Sequence, residues 1–166
     1  MVELRLLEPD DWPLWRELRL AALADAGPAF GSTLADWQGD GDREERWRAR
    51  LTMRGSHNVV AFLDGRPAGM AGGVPTETAD SVELVSMWVS PSARGRGVGN
   101  HLIHEIERWA TWRGAKTLRL SVKPGNAPAI TLYTRHDFRD SEELPALDPH
   151  GSRVMTKLLP ALHNPR

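Results

Sequence analysis

The sequence predicts a mixed α/β domain, and three observations predict it. The first is a strand, a glycine-rich turn and a helix in immediate succession. Val82 to Val89 is rich in β-formers, Pro91 ends it, and Arg94-Gly95-Arg96-Gly97-Val98-Gly99 leads into an amphipathic run. The second is a hairpin, in which Val59 to Leu63 and Ala68 to Val74 flank Asp64-Gly65, a dipeptide suited to a positive-φ turn. The third is the alternation of period-two and period-3.6 segments, which reads β-α-α-β-β-β-α-β-α-β-β along the chain. With 166 residues, 40% of them apolar, one domain with a real core is expected. Residues 1–160 are assigned to it and 161–166 to a C-terminal tail.

Val2 to Leu7 alternates apolar with charged residues and is the first strand. Glu8-Pro9-Asp10-Asp11 starts a helix, its acids at the positive end of the dipole. Trp12, Trp15, Leu18, Arg19 and Ala22 keep helical spacing up to about Ala24, and Gly27-Pro28 breaks the chain. Ala29 to Thr33 is a loop, and Gly39 to Met53 is a second helix with its charged face outward. Pro75 to Asp80 is a polar loop between the hairpin and the central strand. The helix after that strand places Val98, Leu102, Ile103, Ile106, Trp109 and Ala110 on one side and ends at Gly114. Thr117 to Val122 is a strand, Pro128 to Arg135 a short helix, and Phe138 opens another strand. Residues 141–152 form a loop, and Val154 to Leu159 is the last strand.

Formal net charge is −1, so no global field draws nucleic acid or an anionic membrane. No apolar run approaches the ~18 residues of a membrane span. The opening VELRLLEPDD has no apolar h-region, and no signal peptide is expected. Without cysteine there is no disulfide, thiolate metal site or cysteine nucleophile, which suits a cytoplasmic protein.

The basic glycine run has a physical meaning. The first N–H groups of a helix lack partners and carry partial positive charge, worth roughly 0.3–1 kcal/mol toward an anion. Arg94 and Arg96 add forked donors suited to phosphate. A Walker A loop would end in Gly-Lys-Ser/Thr, whereas Val98-Gly99-Asn100 stands here. A dinucleotide fingerprint would require glycine where Leu102 stands. The spacing present is Arg-x-x-Gly-x-Gly.

That spacing resembles the pyrophosphate loop of the GNAT superfamily of acyl-CoA-dependent N-acetyltransferases. The segment Leu118 to Phe138 resembles the family's Asn-x-x-Ala-x-x-x-Tyr stretch through Asn126, Ala129 and Tyr133, and the order of elements is that of a GNAT domain. The resemblance implies a mixed, mostly antiparallel sheet of about 6–7 strands with about 4 helices, splayed at the central strand. It implies acetyl-CoA as cosubstrate and no metal. Arg94, Gly95, Arg96, Gly97, Val98 and Gly99 would grip its pyrophosphate. Met87, Trp88 and Val89 would offer free backbone groups to pantetheine and the thioester carbonyl, and Asn126 would either cap its helix or bond the pantetheine arm. Tyr133 would give a proton to the departing thiolate. The missing cysteine agrees with direct attack by a primary amine in a ternary complex; serine acylation is the alternative, though no Ser stands in a nucleophile-elbow pattern.

The general base departs from the family pattern. Many members carry Glu five residues before the Asn, where this chain has Ser121. Glu83 is the substitute: its parity matches Val85, Met87 and Val89, and a carboxylate among apolar neighbours would have a raised pKa. The alternative is a solvent-exposed Glu83 at the strand's start. Asp137 stands where the family has Gly before Phe138, and Asp tolerates the left-handed region. His101 and His104 share a helix face without a third ligand at motif spacing, and read as a solvated face. Trp37 and Trp47 belong to the segment that walls the acceptor site in the family, either packing or stacking on an acceptor. The expected acceptor is a small-molecule or peptide amine, with a homodimer permitted. A non-enzymatic acyl-CoA sensor is the alternative, and a protein that turns the glycine loop to ATP or NAD is a third reading.

Overall fold

Among the described residues seven strands form one sheet: β1 Val2–Leu6, β2 His57–Leu63, β3 Arg66–Pro75, β4 Ser81–Val89, β5 Thr117–Val122, β6 Arg139–Asp140 and β7 Arg153–Leu158. Their order across the sheet is β1-β2-β3-β4-β5-β7-β6. Every pairing is antiparallel except that of β4 with β5. Four α-helices among the described residues accompany them: α1 Trp12–Ala26, α2 Glu44–Thr52, α3 Val98–Trp112 and α4 Ala127–Arg135. This computed structural model describes residues 1–26, 33–141, 147–149 and 151–161. The expected Gly27-Pro28 break, the loop at 29–32, positions 142–146 and 150 of the 141–152 loop, and the tail beyond Ala161 lie outside them.

The sheet separates two cores. On one face α3 lays down Val98, Leu102, Ile103, Ile106, Trp109 and Ala110, the stripe its spacing predicts, together with Tyr133 and Phe138. On the other face, Trp15, Leu18 and Ala22 of α1 and Trp47 and Leu51 of α2 cover Val60, Met70 and Trp88. Each such fully buried large side chain stabilises the fold by roughly 1.5–3 kcal/mol. Close approach of α3 depends on Gly73, where an added Cβ would lie 2.2 Å from the Trp109 ring.

Two elements differ from expectation. The second helix does not start at Gly39: Gly39–Gly41 is a 3-10 turn and α2 begins at Glu44. Gly39 has a φ of +57°, and glycine in a helix interior is unfavourable by roughly 1 kcal/mol. Asp42 is drawn instead to Arg16 Nη2 at 2.6 Å and to the Trp47 indole N–H at 2.8 Å. Phe138 does not open a strand; it is buried beside Tyr133, and β6 starts one residue later. Asp137 has a φ of +69° and makes the left-handed turn expected of it.

The β4–β5 ladder is the feature that makes room for a site. It holds only the pairs Ser81↔Thr117, Val82↔Leu118 and Glu83↔Arg119. Beyond Glu83 the two strands part, so the sheet is splayed at its centre. Toward β3, β4 keeps its pairing to the end but with a bulge: Ser86 and Met87 together oppose Ala71, and Ser86 has a φ of +56°.

Candidate active site

The parting of β4 and β5 opens a cleft of ≈ 1190 Å³, lined by the ends of both strands, the N-terminal turn of α3 and one side of α4. The glycine run at its mouth does what its composition requires. Gly95 and Gly97 have φ of +77° and +83°, values strained for any other residue type, and Gly97 is the N-cap of α3. Among the described residues no side chain caps this helix, and its first turn from Val98 to Asn100 lines the cleft. Gly99 packs under Leu132 and Met87, where a Cβ would come within 3.2 Å of Leu132. An anion fits at this point on geometry and charge.

The two arginines differ in placement. Arg94 lines the cleft, donating from Nη2 to Asp25 Oδ2 at 2.6 Å and from Nε to Val89 O at 3.1 Å. The Trp88 indole N–H donates to the same Asp25 oxygen at 3.0 Å. Those bonds, Trp88 foremost, hold the Asp25 carboxyl below the usual carboxylate range although burial opposes them. Arg96 instead turns toward Asp64 in the β2–β3 hairpin, at 3.5 Å, and does not line the main cleft.

Met87, Trp88 and Val89 lie on the parted half of β4, where no pairing to β5 is formed, although Val89 O already accepts from Arg94. Asn126 is the N-cap of α4, its Oδ1 accepting from Ala129 N at 3.3 Å, and it also lines the cleft. Tyr133 reaches the same cavity from the core, 7% exposed, with its ring edge-on to Phe138 at 5.9 Å. Burial pushes its pKa up, so the hydroxyl keeps its proton at neutral pH.

Glu83 lines the cleft but not as its parity predicts. The Ser86 bulge switches the faces of β4: Glu83 and Val85 look toward α1 and α2, whereas Met87 and Val89 pack on the α3 side. Its neighbourhood is not apolar either, because Arg119 Nε donates to Glu83 Oε1 at 2.9 Å and a second bidentate pair ties Arg119 to Glu77. Ser121, where the family has its Glu, also faces the cleft.

Trp37 and Trp47 lie outside this cleft; they pack against each other at 4.7 Å, and Trp47 is 1% exposed. His101 Nδ1 sits 2.8 Å from Gly97 O, and His104 packs against His136, so the two spend their rings on separate contacts. Among the residues that no motif marks, Arg19 of α1 and Arg50 of α2 also enter the cleft. Arg19 sits within the apolar stripe of its helix, a placement that could have flagged it. Arg50 contradicts the expected outward charged face: its Nη1 donates to Ser86 Oγ at 3.1 Å.

Residues 14–138 match the family described as the acetyltransferase (GNAT) family. The chain is similar to the L-2,4-diaminobutyric acid acetyltransferase of Nocardia farcinica, 34% identical over 45% of this chain and 39% of that one. A GCN5-related N-acetyltransferase from Kribbella flavida has the same fold at a TM-score of 0.74, 26% identical, covering 95% of this chain and 98% of that one. So does the PaiA N-acetyltransferase of Thermoplasma acidophilum in complex with coenzyme A, with a TM-score of 0.75 and 19% identity over 95% and 99% of the two chains. The chain spans about half the length of the curated relatives it matches.

Proposed function

Because the chain belongs to the GNAT acetyltransferase family, we propose that it transfers an acetyl group from acetyl-CoA to a primary amine by direct attack in a ternary complex. One observation carries the reading: an uncapped helix N-terminus and a buried, protonated tyrosine share a cleft that opens where β4 and β5 part. The pyrophosphate sits on the first-turn N–H groups of α3 with Arg94 beside it. Arg94 then exchanges its contact with Asp25 for the phosphate, and Arg96 contributes from outside the cleft. The pantetheine arm runs along Met87 to Val89, where β4 offers backbone groups unclaimed by β5, and passes Asn126. The thioester carbonyl takes a backbone N–H of that stretch.

The acceptor approaches from the α1–α2 side. Its nitrogen attacks the carbonyl carbon, the C–S bond breaks, and Tyr133 gives its proton to the leaving thiolate. The proton lost by the amine goes to Glu83, directly or through a water. Arg119 occupies only Oε1 of Glu83, and among the described residues Oε2 has no bonding partner. A cytoplasmic location belongs to the same reading, supported by acetyl-CoA as the cosubstrate. Trp112, 71% exposed at the end of α3, is the aromatic surface that a homodimer would cover.

A non-enzymatic acyl-CoA sensor is the second reading, favoured by Ser121 and by the tethering of Glu83 to Arg119. The test is calorimetric titration of acetyl-CoA, with ATP and NADH as controls, followed by thiol release on an amine panel. Binding of acetyl-CoA that weakens in Arg94→Ala, and one amine turned over, supports the transferase. Binding with no turnover leaves the sensor, and preference for ATP sinks both.

A further inference from the structure

We propose that β1 is a dimer interface: the strand pairs antiparallel with β1 of a second copy of this chain, about a two-fold axis at Leu4. The inference rests on the homodimer of the proposed function and supplies its contact surface. Nothing in it depends on acetyl transfer.

The two edges of the sheet differ. β6 is two residues long and charged, its Asp140 held by Arg153, and a short charged edge resists further pairing. β1 is five residues long, Val-Glu-Leu-Arg-Leu, with neither proline nor lysine and with no register shift against β2. It is exposed from Glu3 to Leu6, with Leu4 at 38% and Leu6 at 56%. The Leu7 N–H donates to Asn58 O and the Asp64 N–H donates to Met1 O, so the odd-numbered residues of β1 spend their backbone groups on β2. The N–H and C=O groups of Val2, Leu4 and Leu6 point the other way, and among the described residues they have no partner.

The side chains of the strand complement themselves. Leu4 and Leu6 pair with Ala61 and Val59 of the core under α3, so both leucines stand on that face of the sheet and Glu3 and Arg5 on the other. Antiparallel pairing about Leu4 sets Leu4 against Leu4, Val2 against Leu6 and Glu3 against Arg5, and bonds each outward backbone group to its counterpart. Leucine then covers leucine on one face while carboxylate meets guanidinium on the other. The neighbouring registers that keep the same backbone bonding are centred on Glu3 or on Arg5, and each opposes like charges at its axis. Arg5 already donates from Nη2 to Asp11, which leaves its other nitrogens for a second carboxylate, as Arg119 serves Glu77 and Glu83 together. Exposed Trp112 stands two turns beyond Glu105, on the flank of α3 from which Glu105 reaches His57 of β2, and so lies at the rim of this edge.

The test is sedimentation equilibrium of the full chain at roughly 1 to 100 μM, where a dimer is expected. Glu3→Arg and Arg5→Glu each oppose like charges across the axis, and each should raise the dissociation constant about tenfold or more. Mixed one to one, the two variants complement each other and should associate as a heterodimer. Leu4→Lys, at an exposed position, should also dissociate the dimer without touching the Arg5–Asp11 contact, whereas Trp112→Ala at the rim should keep it. A monomer at every concentration overturns the inference and the homodimer with it, and leaves the transferase reading intact. A dimer that Leu4→Lys leaves unchanged, or that Trp112→Ala alone dissolves, overturns the inference and moves the homodimer to another surface. Charge variants that are folded by circular dichroism and stay monomeric on mixing overturn it as well.

Discussion

At Tyr133 a single hydroxyl is separable from the packing around it. The ring is held by Phe138 and the core, and burial keeps the O–H protonated, so Tyr133→Phe removes the proton and little else. Calorimetry should show unchanged acetyl-CoA affinity, and thiol release should show kcat lowered about a hundredfold or more. An unchanged kcat would exclude the proton-donor role. Glu83→Gln is the complementary change. Its amide oxygen can still accept from Arg119, which also keeps Glu77, so the fold should hold. With the proposed base lost, kcat/KM should fall about a hundredfold. An unchanged kcat/KM would assign the base elsewhere. Tyr133, Asn126 and the glycine loop were legible because fixed spacings mark them. Arg19 stood in the apolar stripe of its helix with no motif to give it a role, and Arg50 was sent outward with the charged face of its own.

The contact of α3 with β3 sets where the proposed anion cradle sits relative to the parted strands. Gly73→Ala would place a methyl 2.2 Å from the Trp109 ring, and the ring has the helix behind it. Something must shift, at a cost of about 1–3 kcal/mol. A lower urea midpoint at unchanged m-value is expected, together with weaker acetyl-CoA binding as α3 is displaced. A midpoint equal to wild type would show that Trp109 repacks freely. Element type was well signalled here: the α3 stripe, the hairpin at Asp64-Gly65 and the strand–turn–helix unit all follow from local pattern. What local pattern could not carry was the bulge. Alternation assigns Glu83 to the face of Met87 only while every residue advances the pleat, and Ser86-Met87 has no glycine or proline to announce that it does not. The 3-10 turn at Gly39–Gly41 was misread for a related reason, because Asp42 follows distant Arg16 rather than its neighbours.

Across the whole molecule, long-range polar contacts tie elements that the order of strands and helices leaves unspecified. Element order was readable along the chain; partners such as His57 with Glu105, or Lys157 with Glu107, exist only once the sheet has formed. These contacts set how stability responds to acid. Burial works against the charge of Glu105, yet bonds from Arg108 and His57 outweigh it and hold its carboxyl below the usual range. Asp42 and Glu77 are drawn down to about 2 by Arg16 and Arg119. Each depressed carboxylate contributes stability that is whole above its unfolded pKa, near 3.8 for Asp and 4.5 for Glu, and is lost as pH falls through the folded value. His136 acts in a higher window. Burial is the main force that lowers its pKa from 6.5, against the pull of Glu107, so its contribution is whole above pH 6.5 and is lost as acid forces a proton onto the ring. Urea unfolding at pH 8, 6, 5 and 3 should therefore show stability level above pH 7, a first decline below 6.5 and a steeper one below 4.5. In His136→Gln, whose amide can keep the contact to Asn100, the first decline should vanish and the second remain. A first decline that persists in this variant would move the upper titration to another group.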